Sequence, residues 1–150
     1  MRVTLDSGIL VRGSTSPMGP AARLIRELVP PIDRIVLSEF ILGEFQRVLA
    51  YPRIRPRFDA DEIAIRGARF RAAAELVIPA AGPPVVRADP NDDPVVYTAV
   101  AGKADVLCTL DRRFYEPGVA AFLREHGIRV LSDVELLREL LLGRVKGHSV

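Results

Sequence analysis

Short apolar runs alternate with helix-length segments along the chain, and this alternation limits the open folds more than any other feature. Strand-like runs lie at Arg2–Leu5, Ile35–Leu37, Ala104–Thr109 and Ile128–Leu131, with a weaker one at Leu76–Ile78. The segments between them carry helix signals. Pro20–Leu28 follows a Ser/Pro/Gly loop and reads as the first helix. Ser38 is a good N-cap for Glu39–Leu49, which Tyr51-Pro52 ends. Asp59 caps a segment running to about Leu76, with Ile63, Phe70, Ala74 and Val77 on one face. Asp93 and Pro94 make a cap and first-turn pair for Val95–Ala101, closed by Gly102. Gly118–Glu125 is a short helix, and Ser132 with Glu135 forms a capping box for a leucine-rich helix ending at Leu142. Strands separated by helices in this way predict a parallel sheet covered on both faces. The expectation is an α/β, Rossmann-like three-layer α/β/α fold around a mostly parallel sheet of four to five strands. With 150 residues, it forms a single domain over residues 1–142 with a flexible tail over 143–150.

Composition narrows the setting. An apolar fraction of 49% and a charged fraction of 27% are those of an ordinary globular protein. No run approaches the roughly 18 apolar residues of a membrane span, and the N-terminus leads straight into a strand. The lone Cys108 cannot form an internal disulfide and reads as an inert core residue. A cytoplasmic protein with no membrane contact is expected. The net charge is only +2, but arginine supplies nearly all the cations, Lys103 and Lys146 being the only lysines. Base composition accounts for much of that bias, yet arginine is also the better bidentate partner for phosphate.

Four acids stand where chemistry is done in such folds. Asp6 ends the first apolar run, Asp111 follows the run over 104–109, Asp93 opens a helix, and Glu44 lies within one. Taken singly, each has an ordinary use: Asp6 starts a turn, Asp93 is an N-cap, Asp111 begins an Asx-turn. Glu44 is harder to dismiss, because it flanks the buried stripe of Ile41, Phe45, Val48 and Leu49, whereas Glu39 falls on the solvated face. Together the four belong at the carboxyl edge of a parallel sheet, where ligands bind. Carboxylates crowded into one crevice hold protons unless a cation neutralises them. Oxygen ligands without a His or Cys cluster favour Mg²⁺ or Mn²⁺, which polarise phosphates and acidify bound water.

At these residues the chain resembles the PIN-domain family of metal-dependent nucleases, and within it the VapC-like toxins of type II toxin–antitoxin pairs. Four segments carry the resemblance: Val3-Thr-Leu-Asp6-Ser-Gly-Ile-Leu-Val11, the stretch Leu37–Leu49 around Glu44, Asp89-Pro-Asn-Asp-Asp93-Pro-Val-Val, and Ala104–Phe114 with its Thr109-Leu-Asp111. It spans about residues 1–135. The resemblance implies a ribonuclease using Mg²⁺ or Mn²⁺, homodimerisation and a cognate antitoxin. It also implies that Asp6, Glu44, Asp93 and Asp111 hold the metal, with Ser7 and Thr109 supporting them. Asp92, beside Asp93, is the stand-in ligand, but helix-cap geometry and motif spacing both favour Asp93. One position departs from the pattern: Gly8 stands where the family usually has Asn or Ser.

For RNA contact, Arg112 and Arg113 directly follow Asp111 and are expected at the pocket rim. Arg53 and Arg55 lie in the basic, aromatic-flanked stretch Tyr51–Phe58, suited to a phosphate backbone and an unpaired base. Two other classes compete with the nuclease: a PIN-like RNA-binding module with weak catalysis, and a phosphoacceptor receiver domain. The receiver wants a lysine at the end of its last strand, which Arg129-Val-Leu131-Ser132 does not offer.

Overall fold

The computed structural model describes residues 1–147, with side chains described through Gly143. Five strands form one sheet: β1 (Arg2–Leu5), β2 (Arg34–Leu37), β3 (Glu75–Leu76), β4 (Val106–Cys108) and β5 (Arg129–Leu131). Their order is β3-β2-β1-β4-β5 and every pair is parallel, so the expected three-layer α/β/α architecture is the one observed. Val3 pairs with Ile35 on one side and with Val106 on the other. The central strand is therefore also the first. The chain runs outward from β1 through β2 to β3, then returns to β4 on the other side. That reversal makes the carboxyl ends of β1 and β4 the switch point of the sheet, where open α/β folds present a crevice.

Among the described residues, seven helices cover the sheet: α1 (Ser7–Thr15), α2 (Pro20–Glu27), α3 (Glu39–Leu49), α4 (Ala60–Ala73), α5 (Asp93–Ala101), α6 (Pro117–Glu125) and α7 (Asp133–Gly147). The expected caps at Ser38, Asp59 and Ser132 hold, whereas Asp93 is the first residue of α5 and Asp92 precedes it without a side-chain cap bond. Asp59 and Glu62 exchange bonds of 2.8 and 3.1 Å in a capping box, and Ser132 and Glu135 do the same at 3.1 Å. Val3, Leu5, Leu37, Ile41, Phe45, Val96 and Leu107 are fully buried between sheet and helices. Phe70 of α4 reaches this core edge-on to Phe45, ring centres 5.2 Å apart. Gly102, the C-cap of α5, lies so close to Val36 that a Cβ there meets the valine side chain. This contact sets how tightly α5 sits on β2.

Three elements differ from expectation. Pro20–Glu27 is the second helix, because Ser7–Thr15 already forms one, capped by Asp6 and anchored by buried Ile9 and Leu10. Helix α4 stops at Ala73, where the chain enters β3. Helix α7 continues past Leu142 to Gly147, so the stretch expected as a tail is helical that far, and residues 148–150 lie outside the described residues.

Candidate metal centre

Asp6 is placed by the end of β1. Its amide donates to Cys108 O at 3.0 Å, prolonging the β1–β4 ladder, and its carboxylate then turns into the switch-point crevice. Oδ1 accepts from the Ser7 amide at 2.8 Å and Oδ2 from the Thr109 hydroxyl at 2.8 Å. Burial pushes the Asp6 carboxyl above its ordinary value; the Thr109 and Ser7 bonds oppose this, and the charges of Glu44 and Asp111 add to it.

Thr109 connects the two central strands. Buried just beyond β4, it donates through its amide to Leu131 O at 3.0 Å, and its hydroxyl oxygen accepts the Asp111 amide at 3.0 Å. Its carbonyl accepts the Tyr115 hydroxyl at 2.7 Å. Asp111 then caps a single 3-10 turn, Arg112–Tyr115, accepting from the Arg113 amide at 3.0 Å. The Arg113 guanidinium holds the Asp111 carboxyl below its ordinary range.

Glu44 and Val48, one turn apart on α3, both face the crevice. Among the described residues, the half-buried Glu44 carboxylate has no hydrogen bond or ion pair. The third acid comes from the 3-10 turn Pro90–Asp92 that leads into α5, and here the structure differs from the sequence reading. Asp93 accepts from the amides of Val85 and Val86 at 3.1 and 2.8 Å, so its carboxylate clamps that segment. Asp92 lines the crevice instead. Burial pushes the Asp92 carboxyl up; Arg113 lowers it, while Asp89, Asp111 and Asp6 raise it further.

The resulting pocket measures about 270 Å³ and is lined by Asp6, Ser7, Gly8, Arg12, Glu44, Asp92, Asp111 and Arg113, with Val48, Leu110 and Phe114 as apolar walls. Its donor set is all oxygen, as a hard divalent cation requires. The buried Asp92 Oδ2 accepts no hydrogen bond among the described residues, and a cation would satisfy it. These residues fit Mg²⁺ or Mn²⁺. As the side chains stand, however, no group of three Asp, Glu, His or Cys among the described residues is arranged to hold a metal ion.

The expected RNA contacts are divided. Arg112 is exposed beside the pocket, but Arg113 is turned inward onto carboxylates. Arg53 and Arg55 are exposed in the segment after α3 and do not line the pocket. Arg12 does line it, although the sequence pattern does not mark it; on helix α1 it falls one turn after Gly8. The buried Asp133 Oδ2 lies 3.7 Å from Arg12 Nε. Cys108 is fully buried, as expected.

A second cavity, of about 720 Å³ and larger than the acidic pocket, lies elsewhere. Residues of α1, α2, β2 and α4 line it, with an apolar floor including Ile25, Ile35 and Phe70 and with Arg26, Arg34, Arg66 and Arg69 among its walls. It holds no carboxylate, so it is separate from the acidic pocket.

The comparison with curated proteins gave no match. Among solved structures, the chain is similar to one in the crystal structure of VapBC2 from Rickettsia felis bound to a DNA fragment from their promoter. The TM-score is 0.59 at 15% identity, over 88% of this chain and 98% of that one, a likeness of fold. The profile of the PIN domain matches residues 2–113, a span that holds every acid of the pocket. The chain belongs to the PIN-domain family.

Proposed function

We propose that this chain is a Mg²⁺- or Mn²⁺-dependent endoribonuclease and the toxin of a toxin–antitoxin pair. PIN domains are generally nucleases that use divalent metal ions. The observation that carries the reading is the convergence of Asp6, Glu44, Asp92 and Asp111 on one pocket at the switch point of the sheet. These four would hold the metal, with Asp92 taking the part that motif spacing gave to Asp93. A bound divalent ion supplies Lewis-acid charge to a phosphate and to the attacking water.

The chain's own residues do the rest. Thr109 and the Ser7 amide fix both Asp6 oxygens, so this acid is oriented before any ligand arrives. Glu44, with no partner of its own among the described residues, is free to ligate or to accept a proton from water. Arg12 and Arg112 are the cations positioned to meet a phosphate backbone at the pocket. Val48, Leu110 and Phe114 limit water around the reacting phosphate.

Three partners belong to this reading. RNA is the substrate. A cognate antitoxin is supported by the 720 Å³ groove, whose apolar floor and four arginines suit an acidic amphipathic segment. A second copy of the chain is supported by Val134 and Leu142, exposed on α7 beside Leu137 and Leu141. Among the described residues no helix is long and apolar enough to cross a membrane.

The test is cleavage of a structured RNA and of single-stranded DNA with Mg²⁺, Mn²⁺ or EDTA, using wild type, Asp92→Asn and Asp93→Asn. Metal-dependent RNA cutting that disappears in Asp92→Asn and persists in Asp93→Asn is expected. RNA binding without cutting in all three proteins would replace the nuclease by a binding module.

A further inference from the structure

One guanidinium spans three carboxylates at the edge of the pocket. Arg113 Nη2 lies 2.7 Å from Asp111 Oδ2, and its Nε is 3.1 and 3.2 Å from the two Asp111 oxygens, a bidentate fork. Nη1 lies 2.9 Å from Asp92 Oδ2 and 3.5 Å from Asp89 Oδ2. These acids come from two separate segments, the turn before α5 and the turn after β4, which the arginine ties together. Its contact with Asp92 is charge without hydrogen-bond geometry, since that buried oxygen accepts no bond. The side chain is 40% exposed, so the guanidinium has a path to solvent.

We propose that Arg113 is the resident counter-cation of this site, holding Asp92 and Asp111 in the metal-free protein and competing with the divalent ion for the same carboxylate oxygens. The proposal rests on the metal-site reading above. It accounts for two observations together. The acids line one pocket, yet no three of them are arranged to hold an ion. Arg113 stands where the expected RNA-gripping cation should be, but it is turned inward. An oxygen lone pair directed at a guanidinium is not available to a metal, so binding an ion means releasing the arginine. Once released from Asp92 and Asp111, Arg113 keeps only the more exposed Asp89 beside it, and a phosphate group becomes a further counter-ion. Exchange of one cation for another keeps a positive charge beside Asp92 and Asp111 in both states.

The experiment is Mn²⁺ titration followed by calorimetry and by electron paramagnetic resonance, with thermal melts in EDTA and in Mn²⁺. The proteins are wild type, Arg113→Gln, Arg113→Lys and Asp6→Asn. Arg113→Gln should bind Mn²⁺ at least about threefold more tightly than wild type, as removal of a competing ion pair allows. It should also melt earlier in EDTA, so that the gain in melting temperature on adding Mn²⁺ is larger than in wild type. Arg113→Lys, with charge but no fork, should fall between the two, and it carries the test if Arg113→Gln does not fold. A merely structural arginine would lower melting without tightening Mn²⁺. Equal or weaker Mn²⁺ binding in both Arg113 variants, with Asp6→Asn weakened, overturns the proposal and leaves the metal site standing. Absence of Mn²⁺ binding in wild type and both Arg113 variants overturns the metal-site reading and the proposal with it.

Discussion

Thr109 and Asp6 stand 103 residues apart in the chain and share a 2.8 Å hydrogen bond between hydroxyl and carboxylate. The same hydroxyl oxygen accepts the Asp111 amide, so one buried threonine orients two acids of the pocket. Thr109→Val keeps the shape and removes both bonds, leaving a buried carboxylate short of a donor. The expected cost is about 1–3 kcal/mol in denaturant unfolding, together with weaker Mn²⁺ binding. Thr109→Ser should restore most of both, and equal behaviour of the two variants would remove the hydroxyl from the site.

Gly8 departs from the family's usual Asn or Ser, yet its position is open. A Cβ there meets nothing within 4 Å, and the residue lines the acidic pocket. Gly8→Asn should therefore fold with unchanged or slightly higher stability, since glycine in a helix costs about 0.5–1 kcal/mol relative to alanine. It should also raise RNA cleavage by adding a polar group beside Asp6. Stability by urea titration and initial cleavage rates check the two parts separately.

Gly102 is the opposite case. Its missing Cβ lets the end of α5 rest on Val36, and Gly102→Ala drives the new methyl into that side chain. Overpacking of this kind costs about 1–3 kcal/mol. Pairing it with Val36→Ala, which makes room, should recover part of the loss, a non-additivity readable in a double-mutant cycle.

Arg129 of β5 and Glu139 of α7 form a fork of two 2.8 Å bonds. The arginine holds the Glu139 carboxyl below its ordinary value, so this pair adds stability above the unfolded carboxyl's pKa. That contribution is lost as pH falls through the lower folded value. Both side chains are about half exposed, which screens the pair, and Glu139→Gln should cost no more than about 0.5–1 kcal/mol at pH 7. Once the pH has fallen below the folded Glu139 value, the variant and wild type should unfold alike.

Much of the scaffold was legible because its signals are local. Apolar runs marked β1, β2, β4 and β5 but met β3 only at Leu76, and Ser38, Asp59 and Ser132 announced their helices through cap chemistry. Helix α1 was not legible, since Ser7-Gly8 and Gly13-Ser14-Thr15 are weak helix formers. It forms because Asp6 caps it and Ile9 and Leu10 are buried, and both causes depend on the finished fold. The choice between Asp92 and Asp93 shows the same limit at one residue. Asp93 before Pro94 has the stronger cap signature, but the turn over Pro90–Asp92 sends Asp92 into the crevice and Asp93 toward Val85 and Val86. Nothing local in the sequence foretells that Arg113, at the pocket edge, meets Asp89, Asp92 and Asp111.

The first strand of the chain is the central strand of the sheet, and its neighbour β4 is made more than a hundred residues later. During synthesis Asp6 and Glu44 leave the ribosome early, yet the crevice has no second wall until Thr109, Asp111 and the turn behind them have emerged and docked. A chain that stops just before Thr109 thus holds Asp6, Glu44 and Asp92 without the pocket. The site therefore belongs to the docked fold and not to any one segment of the chain.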